Sequence, residues 1–447
     1  MRHSSITADD VTAAFVIRNV IAFATPRRMD SIQLPGHCRA MARSPEMRAE
    51  IAVVGGGLAG VTLALAAAAA GLEVALIDRI PVDTMLAAKF DGRTTALAHG
   101  SKQVMAGLGV WDQLAPHAGA ILEIRVADGD SPFFLHYDHA DIGDQPLGFI
   151  VENVLLRRVL YERARSFGNL RYIAPASVTR VSDAGAYALV EFDDGSRLKT
   201  GLVAACDGRN SKLRQDAGIK SLTWDYHQTA LVACVAHAKP HRGVAVEHFR
   251  PSGPFAILPM TGDRSSIVWT ESRERAPALL ALSKDRFAAE LQRRFGDFLG
   301  TVGLAGPVWS YPLSFLHAER YTAPRLALVG EAAHAIHPIA GQGLNLSLRD
   351  VASLAELTVD ARRLGLDVGA ADLLARYEGW RRFDAVTLAA VTDGLTRLFS
   401  NDLKSVGLVR DLGLAAVNRM PRLKKALMRH AMGAGGNLPR LSRGERL

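Results

Sequence analysis

The sequence predicts an α/β fold: a parallel-sheet domain interrupted by β-rich insertions and closed by C-terminal helices. Three observations predict it. Residues 49–78 run strand, glycine turn, alanine-rich helix, strand, the order of a β-α-β unit. Strand-rich stretches occupy about 170–206 and 224–270, with clear alternation in TALVACVAHA. From about 371 onward the pattern is helical. A chain of 447 residues, 49% hydrophobic and 22% charged, is long enough for two or three domains, and this composition excludes a mostly disordered protein.

Each element follows from local pattern. Residues 11–24 imitate a secretory signal, but Arg18 and Asn19 interrupt the apolar run, and Asp9 and Asp10 cancel its basic start. Residues 1–46 are therefore read as an extension outside the fold, or as a start placed too early, with Met47 just ahead of the first strand. Residues 51–72 carry no charge, yet Gly55, Gly56, Gly57 and Gly60 crowd the first half. That argues against a spanning helix and for a strand, a turn and a helix. Residues 100–115, 151–168 and 278–299 have helical period, whereas EIRVAD (123–128) and FFLHYD (133–138) read as short strands. RLALVG (325–330) is a strand leading through a loop to a helix near Gly343.

Charge and cysteine usage exclude several classes. The formal net charge is +8, but residues 401–447 hold ten Lys/Arg against three acids, and 47–400 are nearly balanced at 37 against 38. A neutral body with a basic tail is not the footprint of a nucleic-acid-binding domain. Cys38, Cys206 and Cys234 are widely spaced and form no CxxC, so neither a disulfide framework nor a metal site is expected, and a reducing compartment fits.

Three separated motifs carry the chemistry. Gly55-Gly56-Gly57-Leu58-Ala59-Gly60 fits GxGxxG, with Asp78 at the end of the second strand. Gly55 permits the tight turn, Gly57 lets the backbone approach a pyrophosphate, and Gly60 lets the helix pack near the strand. The helix N-terminus offers N–H groups and partial positive charge to phosphates. Asp78 can accept hydrogen bonds from ribose hydroxyls and would repel a 2′-phosphate, which leaves FAD or NAD. The second motif, Cys206-Asp207-Gly208-Arg209-Asn210-Ser211, follows the strand GLVAAC. The third runs from Gly330-Glu331 through His334, His337 and Pro338 to Gly341-Gln342-Gly343-Leu344-Asn345 and opens a helix. His334 and His337 invite a role as bases, but loop histidines more often serve structure.

In this order the three motifs resemble the single-component flavin-dependent aromatic hydroxylases. The resemblance implies a Rossmann-like FAD-binding domain of the para-hydroxybenzoate-hydroxylase type, a β-rich substrate domain and C-terminal helices. It implicates Gly55, Gly57, Gly60, Asp78, Asp207, Gly208, Glu331, Gly341, Gly343 and Asn345 in holding FAD. Arg93, within Asp91-Gly92-Arg93-Thr94-Thr95-Ala96-Leu97, matches a flavin-proximal position.

The likeness narrows to the hydroxylases of ubiquinone biosynthesis. It is carried by the 91–97 segment, Asn153-Val154-Leu155-Leu156, LPM…SSIVWT (258–270), PLSFLHAERY (312–321), HPIAGQGLNLSLRDV (337–351) and TDGLTRLFS (392–400). Two positions depart from it: Glu331 stands where the family commonly has Asp, and Asp78 where it has Glu. The implied reaction is reduction of FAD by NAD(P)H or a reductase, reaction with O2 to a C4a-hydroperoxide, and oxygen transfer to the ring of a polyprenylated phenol. No metal or catalytic nucleophile is required.

The implied organisation places the FAD-binding domain in 47–115, 151–215 and 318–370. The substrate domain is expected in 116–150 and 216–317, with helices in 371–447. The implied location is the cytoplasm, peripheral to the inner membrane beside other ubiquinone-biosynthesis proteins. Residues 404–432 combine Leu408, Leu412, Met420, Leu423, Leu427 and Met428 with Arg410, Arg419, Arg422, Lys424, Lys425 and Arg429. That combination suits an anionic membrane surface. The rivals are a hydroxylase of a soluble phenol and a catalytically silent member of a biosynthetic complex. A flavin halogenase lacks its WxWxIP here, and a disulfide reductase lacks its cysteine pair.

Overall fold

The computed structural model describes residues 46–90, 92–128, 134–399, 420, 422, 424–425, 428, 432–433 and 435–447. The expectation for residues 1–45 therefore lies outside the described residues.

The first layer is a sheet with a parallel core. Its elements are β1 (Met47–Val54), α1 (Leu58–Ala69), β2 (Val74–Ile77), β3 (Leu170–Ile173), β4 (Arg197–Ala205), β5 (Leu326–Leu328) and α2 (Gln342–Arg363). The parallel order is β5-β4-β1-β2-β3. Ile51–Val54 and all of β2 are buried. Such continuous apolar runs are what a parallel sheet covered on both faces requires. Every residue of α1 from Gly60 to Ala68 is buried, between α2 and the helix Asn153–Ala164. The uncharged 51–72 run thus divides into strand, turn and helix, and among the described residues no helix is long and apolar enough to cross a membrane.

The second layer is a nine-stranded sheet built around the 17-residue strand Ser221–His237. That strand pairs antiparallel with Arg264–Ser272 on one side and Trp309–Ala318 on the other. Phe255–Pro259 and Val244–Phe249 extend the sheet to Glu123–Asp128 and Phe134–Asp138. Along the long strand side chains alternate between faces. One face, with Leu231, Ala233 and Val235, packs with Val246, Ile267 and Trp269 on Phe287, Leu291 and Phe295 of the helix Lys284–Phe295. The other face carries Gln228, Ala230, Val232 and Cys234. It meets a small three-stranded sheet formed by Thr94–Ala98, Gly148–Glu152 and Gly119–Ile121, where Thr94 Oγ1 donates to Ser266 Oγ at 2.8 Å. The 29-residue helix α3 (Ala371–Phe399) follows α2.

Several elements differ from the sequence reading. The helix expected over 100–115 breaks into His99–Gly107 and Trp111–Leu114, with Gly109 at φ +71° between them. The helix expected over 278–299 is two, Arg275–Leu280 and Lys284–Phe295. The strand Trp309–Ala318 lies outside the stretches read as strands; it pairs through Pro312, which stands opposite Thr229.

Candidate functional site

The four motif segments converge because each ends a neighbouring parallel strand. Gly55 follows β1, Asp78 follows β2, Asp207 stands two residues past β4, and Gly330 two past β5. The carboxyl ends of such strands are where an open α/β sheet presents its ligand crevice.

The glycines divide into two kinds. Gly55 has φ +108°, and a Cβ there would fall 2.3 Å from the Cys206 carbonyl oxygen. A Cβ on Gly60 would fall 1.8 Å from the Gly55 carbonyl oxygen. These two are glycine so that strand, turn and helix can touch. Gly57 and Gly343 are exposed, and a Cβ on either meets nothing within 4 Å. Gly57 caps α1 and Gly341, at φ +61°, caps α2. Neither helix has a side-chain cap or an acid in its first turn. Both therefore present first-turn N–H groups and positive dipole ends without local neutralisation. The two ends meet at Gly330, where an added Cβ would lie 2.9 Å from Ser347 Oγ of α2 and 3.5 Å from Ala59 Cβ of α1.

The acids are held in different ways. Asp78 Oδ2 accepts the Gly56 N–H at 2.5 Å, and Oδ1 accepts the Ile80 N–H at 2.7 Å. Tyr161 pins the same turn from behind, its hydroxyl donating to the Gly56 carbonyl at 2.9 Å. Asp207 Oδ2 accepts the Leu213 N–H at 3.3 Å, while its Oδ1 is buried without a hydrogen-bond partner. Gly208, at φ +83°, continues this turn. Glu331 is exposed in the turn Gly330–Ala332.

Asn345 does something its motif position did not announce. Its Nδ2 donates to the carbonyls of Ala96 at 2.7 Å and Gly341 at 3.0 Å, and its Oδ1 accepts the Ala98 N–H at 2.9 Å. The side chain thereby clamps the strand Thr94–Ala98 to the start of α2. Arg93, just before that strand, is exposed, with its guanidinium carbon 6.0 Å from the centre of the Tyr311 ring. Gly92 is buried at φ +77°, and a Cβ there would lie 2.2 Å from Trp309 Cδ1.

The histidines serve the scaffold. His334 Nε2 meets Asp350 Oδ2 at 2.6 Å, and Arg381 Nε donates to Asp350 Oδ1 at 2.8 Å. Burial opposes ionisation of Asp350, but His334 and Arg381 outweigh it and hold the carboxyl below its usual range. His337 Nε2 donates to Gln228 Oε1 at 3.2 Å, a direction set by Gln228 Nε2 donating to Ser252 O at 3.0 Å. His337 Nδ1 is buried without a partner, and burial lowers the imidazole to about 4. It stays neutral at neutral pH and is a weak base there.

Between these loops and the β-rich sheet lies the second half of the site. Thr94 on Ser266, Gly92 on Trp309, Arg93 over Tyr311 and His337 on Gln228 all engage the same sheet face. Ile339, in the loop leading to Gly341, packs with Phe249 and Leu135 on that face. The face is largely apolar apart from Gln228, Ser266, Thr270, Ser272, Tyr311 and a buried acid, Glu247. Sequence reasoning passed over Glu247, whose signal was a lone acid in a mostly apolar strand, VAVEHF. It also passed over Tyr161 and Arg381, which carry no local motif, and gave no role to Asp350 although it lies within the 337–351 segment. Cys206 and Cys234 are free thiols, and Cys38 lies outside the described residues.

The C-terminal basic segment is partly drawn into the fold. Lys424 Nζ pairs with Asp141 Oδ2 at 2.7 Å, and Met428 and Met432 pack beside Met260 and Cys234. Met420 is 52% exposed, and Arg422 and Lys425 are exposed. Leu408, Leu412, Leu423, Leu427, Arg410, Arg419 and Arg429 lie outside the described residues.

Comparison with known proteins bears on the family and the fold. A family model described as an FAD binding domain matches residues 48–382. The ubiquinone hydroxylase UbiL of Rhodospirillum rubrum is 50% identical over 404 residues, covering 90% of this chain and 94% of that protein. The 3-demethoxyubiquinol 3-hydroxylase of Escherichia coli is 33% identical over 388 residues, covering 86% of this chain and 98% of that protein. Among solved structures, p-nitrophenol 4-monooxygenase PnpA from Pseudomonas putida shares the fold. Its TM-score is 0.72 at 18% identity, covering 88% of this chain and all of that one.

Proposed function

Because this chain belongs to the FAD-dependent hydroxylases of ubiquinone biosynthesis, we propose that it hydroxylates the aromatic ring of a polyprenylated phenol on the path to ubiquinone. The observation that carries this reading is the half-identity to a ubiquinone hydroxylase across nearly the whole of both chains. The local geometry supports it. Two uncapped helix N-termini converge where a dinucleotide cofactor needs anion-binding N–H groups, and an apolar sheet face lies opposite for a greasy ring.

The residues fit FAD. Exposed Gly57 leaves room for the pyrophosphate over the N-terminus of α1. Asp78 keeps lone pairs for ribose hydroxyls, and Asp207 Oδ1 is a buried acceptor lacking a donor. Gly208 and Glu331 line the same crevice from the ends of β4 and β5. Gly341 and Gly343 set the start of α2, whose N–H groups and positive dipole end favour negative charge on an isoalloxazine ring. Asn345 acts from behind, its amide engaged with Ala96, Gly341 and Ala98 so that it fixes the start of α2 against the strand Thr94–Ala98. Arg93 borders the gap between this ring and the sheet.

When bound, FAD supplies the activation of O2, with electrons from NAD(P)H or a reductase system. The chain's own share is to hold the phenol against the sheet face, exclude water and fix the ring's distance from the cofactor. A polyprenyl tail resides in a bilayer, so the enzyme meets its substrate at a membrane surface, with exposed Met420, Arg422 and Lys425 as the described contribution to that contact.

The test is complementation of strains lacking single ubiquinone hydroxylases, with mass spectrometry of the quinone intermediates. Restored ubiquinone in one of them supports the reading and identifies the ring position. A purified yellow protein that hydroxylates soluble phenols but restores none of the strains would replace it with the soluble-phenol alternative.

A further inference from the structure

Glu247 sits where a substrate ring would rest. On the strand Val244–Phe249 it points to the same face as Ala245 and Phe249. Ala245 packs in a cluster with Met260, Met428 and Ala96, and Phe249 packs with Ile339 of the loop before α2. The carboxyl is thus flanked on its own strand by residues that reach the cofactor-side loops. Across the sheet it lies in one continuous row, Val126–Glu247–Ala256–Val268–Val232, in which every other member is apolar.

The chain treats its other buried acids differently. Among the described residues three acids are buried: Glu247, Glu271 and Asp350. Glu271 pairs with Arg294, and Asp350 with Arg381 and His334. Glu247 makes no hydrogen bond or ion pair among the described residues. Burial raises its carboxyl to about 8, so at neutral pH it is mostly a neutral acid, able both to donate and to accept. A lone buried carboxyl destabilises a fold, and residues that do so without compensation concentrate at sites of function.

We propose that Glu247 is the polar anchor of the ring-binding face, hydrogen-bonding the hydroxyl of the phenolic substrate while the apolar row around it holds the ring and the start of its tail. This rests on the reading of the chain as a phenol hydroxylase and names a residue that would recognise the phenol. The anchor selects for a ring hydroxyl because an ether in its place can accept but not donate, and its methyl group crowds the row.

The test uses the FAD-loaded protein and calorimetric binding of ortho-prenylphenol and of its methyl ether. Wild type should prefer the phenol at least tenfold. Glu247→Leu and Glu247→Ala should reduce that preference to twofold or less while keeping FAD. The leucine variant should melt at the wild-type temperature or above it, since an unpaired carboxyl has been removed. Glu247→Gln, which can still donate and accept, should recover at least a third of the preference. Persistence of the full preference in both Glu247→Leu and Glu247→Ala overturns the role of Glu247 and leaves the phenol reading standing. Loss of FAD or of folding in both also overturns it, because a carboxyl needed for the fold is not held in place for a ligand. A yellow wild type that binds neither probe, or both equally, overturns the phenolic-substrate reading together with the anchor.

Discussion

Arg381 and Asp350 face each other with side chains 3% and 0% exposed, Nε to Oδ1 at 2.8 Å. Asp350 lies on α2 and Arg381 on α3, and the second oxygen of Asp350 takes the N–H of Gly330 at 3.0 Å. One buried ion pair therefore fastens α3 to the loop where the N-terminal ends of α1 and α2 come together. Arg381→Met leaves Asp350 buried beside His334 alone and should cost about 3–5 kcal/mol of stability. Chemical denaturation should register this as a lowered midpoint, with Arg381→Met/Asp350→Asn recovering part of the loss. An unchanged midpoint for Arg381→Met would show that the pair does not hold this junction.

The glycines of the first turn should separate folding from cofactor retention. Gly57→Leu keeps an ordinary backbone, φ −63°, and points its side chain into open space. It should yield a folded but colourless protein. Gly60→Ala drives a methyl into the Gly55 carbonyl and should prevent soluble expression. A yellow Gly57→Leu protein would remove the pyrophosphate from this turn. Asp207→Ala should weaken FAD retention by about tenfold, the loss of one buried acceptor.

Acid should loosen the site through His337. Its imidazole titrates near 6.5 when unfolded and about 4 when folded. Below pH 6.5 the unfolded chain binds the proton more readily, so the stability contributed by neutral His337 is complete above 6.5 and is lost as pH falls toward 4. The shift corresponds to roughly 3 kcal/mol. Melting temperature followed from pH 7 to about pH 4 should fall more steeply in wild type than in His337→Gln. Parallel profiles would place the acid sensitivity elsewhere, with half-buried His317, also lowered to about 4 by burial, the next residue to replace.

A chain beginning at Met47 should fold and stay yellow. The first strand starts at Met47, and the ion pairs it loses within the described residues are two at the surface, Glu46 with Lys199 and with Arg48. Such a pair is worth about 1 kcal/mol or less. The measurement is flavin absorbance and melting temperature against the full chain. An insoluble or colourless product would make the extension part of the fold.

Vesicle sedimentation tests the membrane contact. Arg422→Gln/Lys425→Gln should reduce binding to anionic vesicles at low salt, by about 1 kcal/mol per charge, with little difference at high salt. Lys424 is left intact because it pairs with Asp141. Equal binding by wild type and the double variant would remove these two charges from the anchor.

Local motifs were legible where their physics is local. Gly55, Gly60 and Asp78 act within one strand–turn–helix unit, so spacing alone places them at one turn. Asn345 shows the limit: its motif position points to the cofactor, while its amide serves Ala96 and Ala98, 249 and 247 residues away. Glu247 was invisible for a related reason, since Val126 and Ala256 flank it from strands that are distant or reversed in sequence. Lys424 and Met428 looked like parts of an interfacial helix. An amphipathic pattern cannot tell a bilayer from a protein core, and both residues turn inward.

The strand Thr94–Ala98 touches both halves of the site, through Asn345 at one side and Ser266 at the other. It therefore works as a gauge block across the gap between the start of α2 and the sheet floor. Its backbone is held to Asn345 at Ala96 and Ala98, it pairs with the strand Gly148–Glu152, and the Thr94 side chain ties it to Ser266. Rotamer changes in the cleft cannot widen that gap. Substitution of the floor residues can thus reshape one wall of the cleft, whereas the separation of α2 from the sheet changes only if this strand is rebuilt.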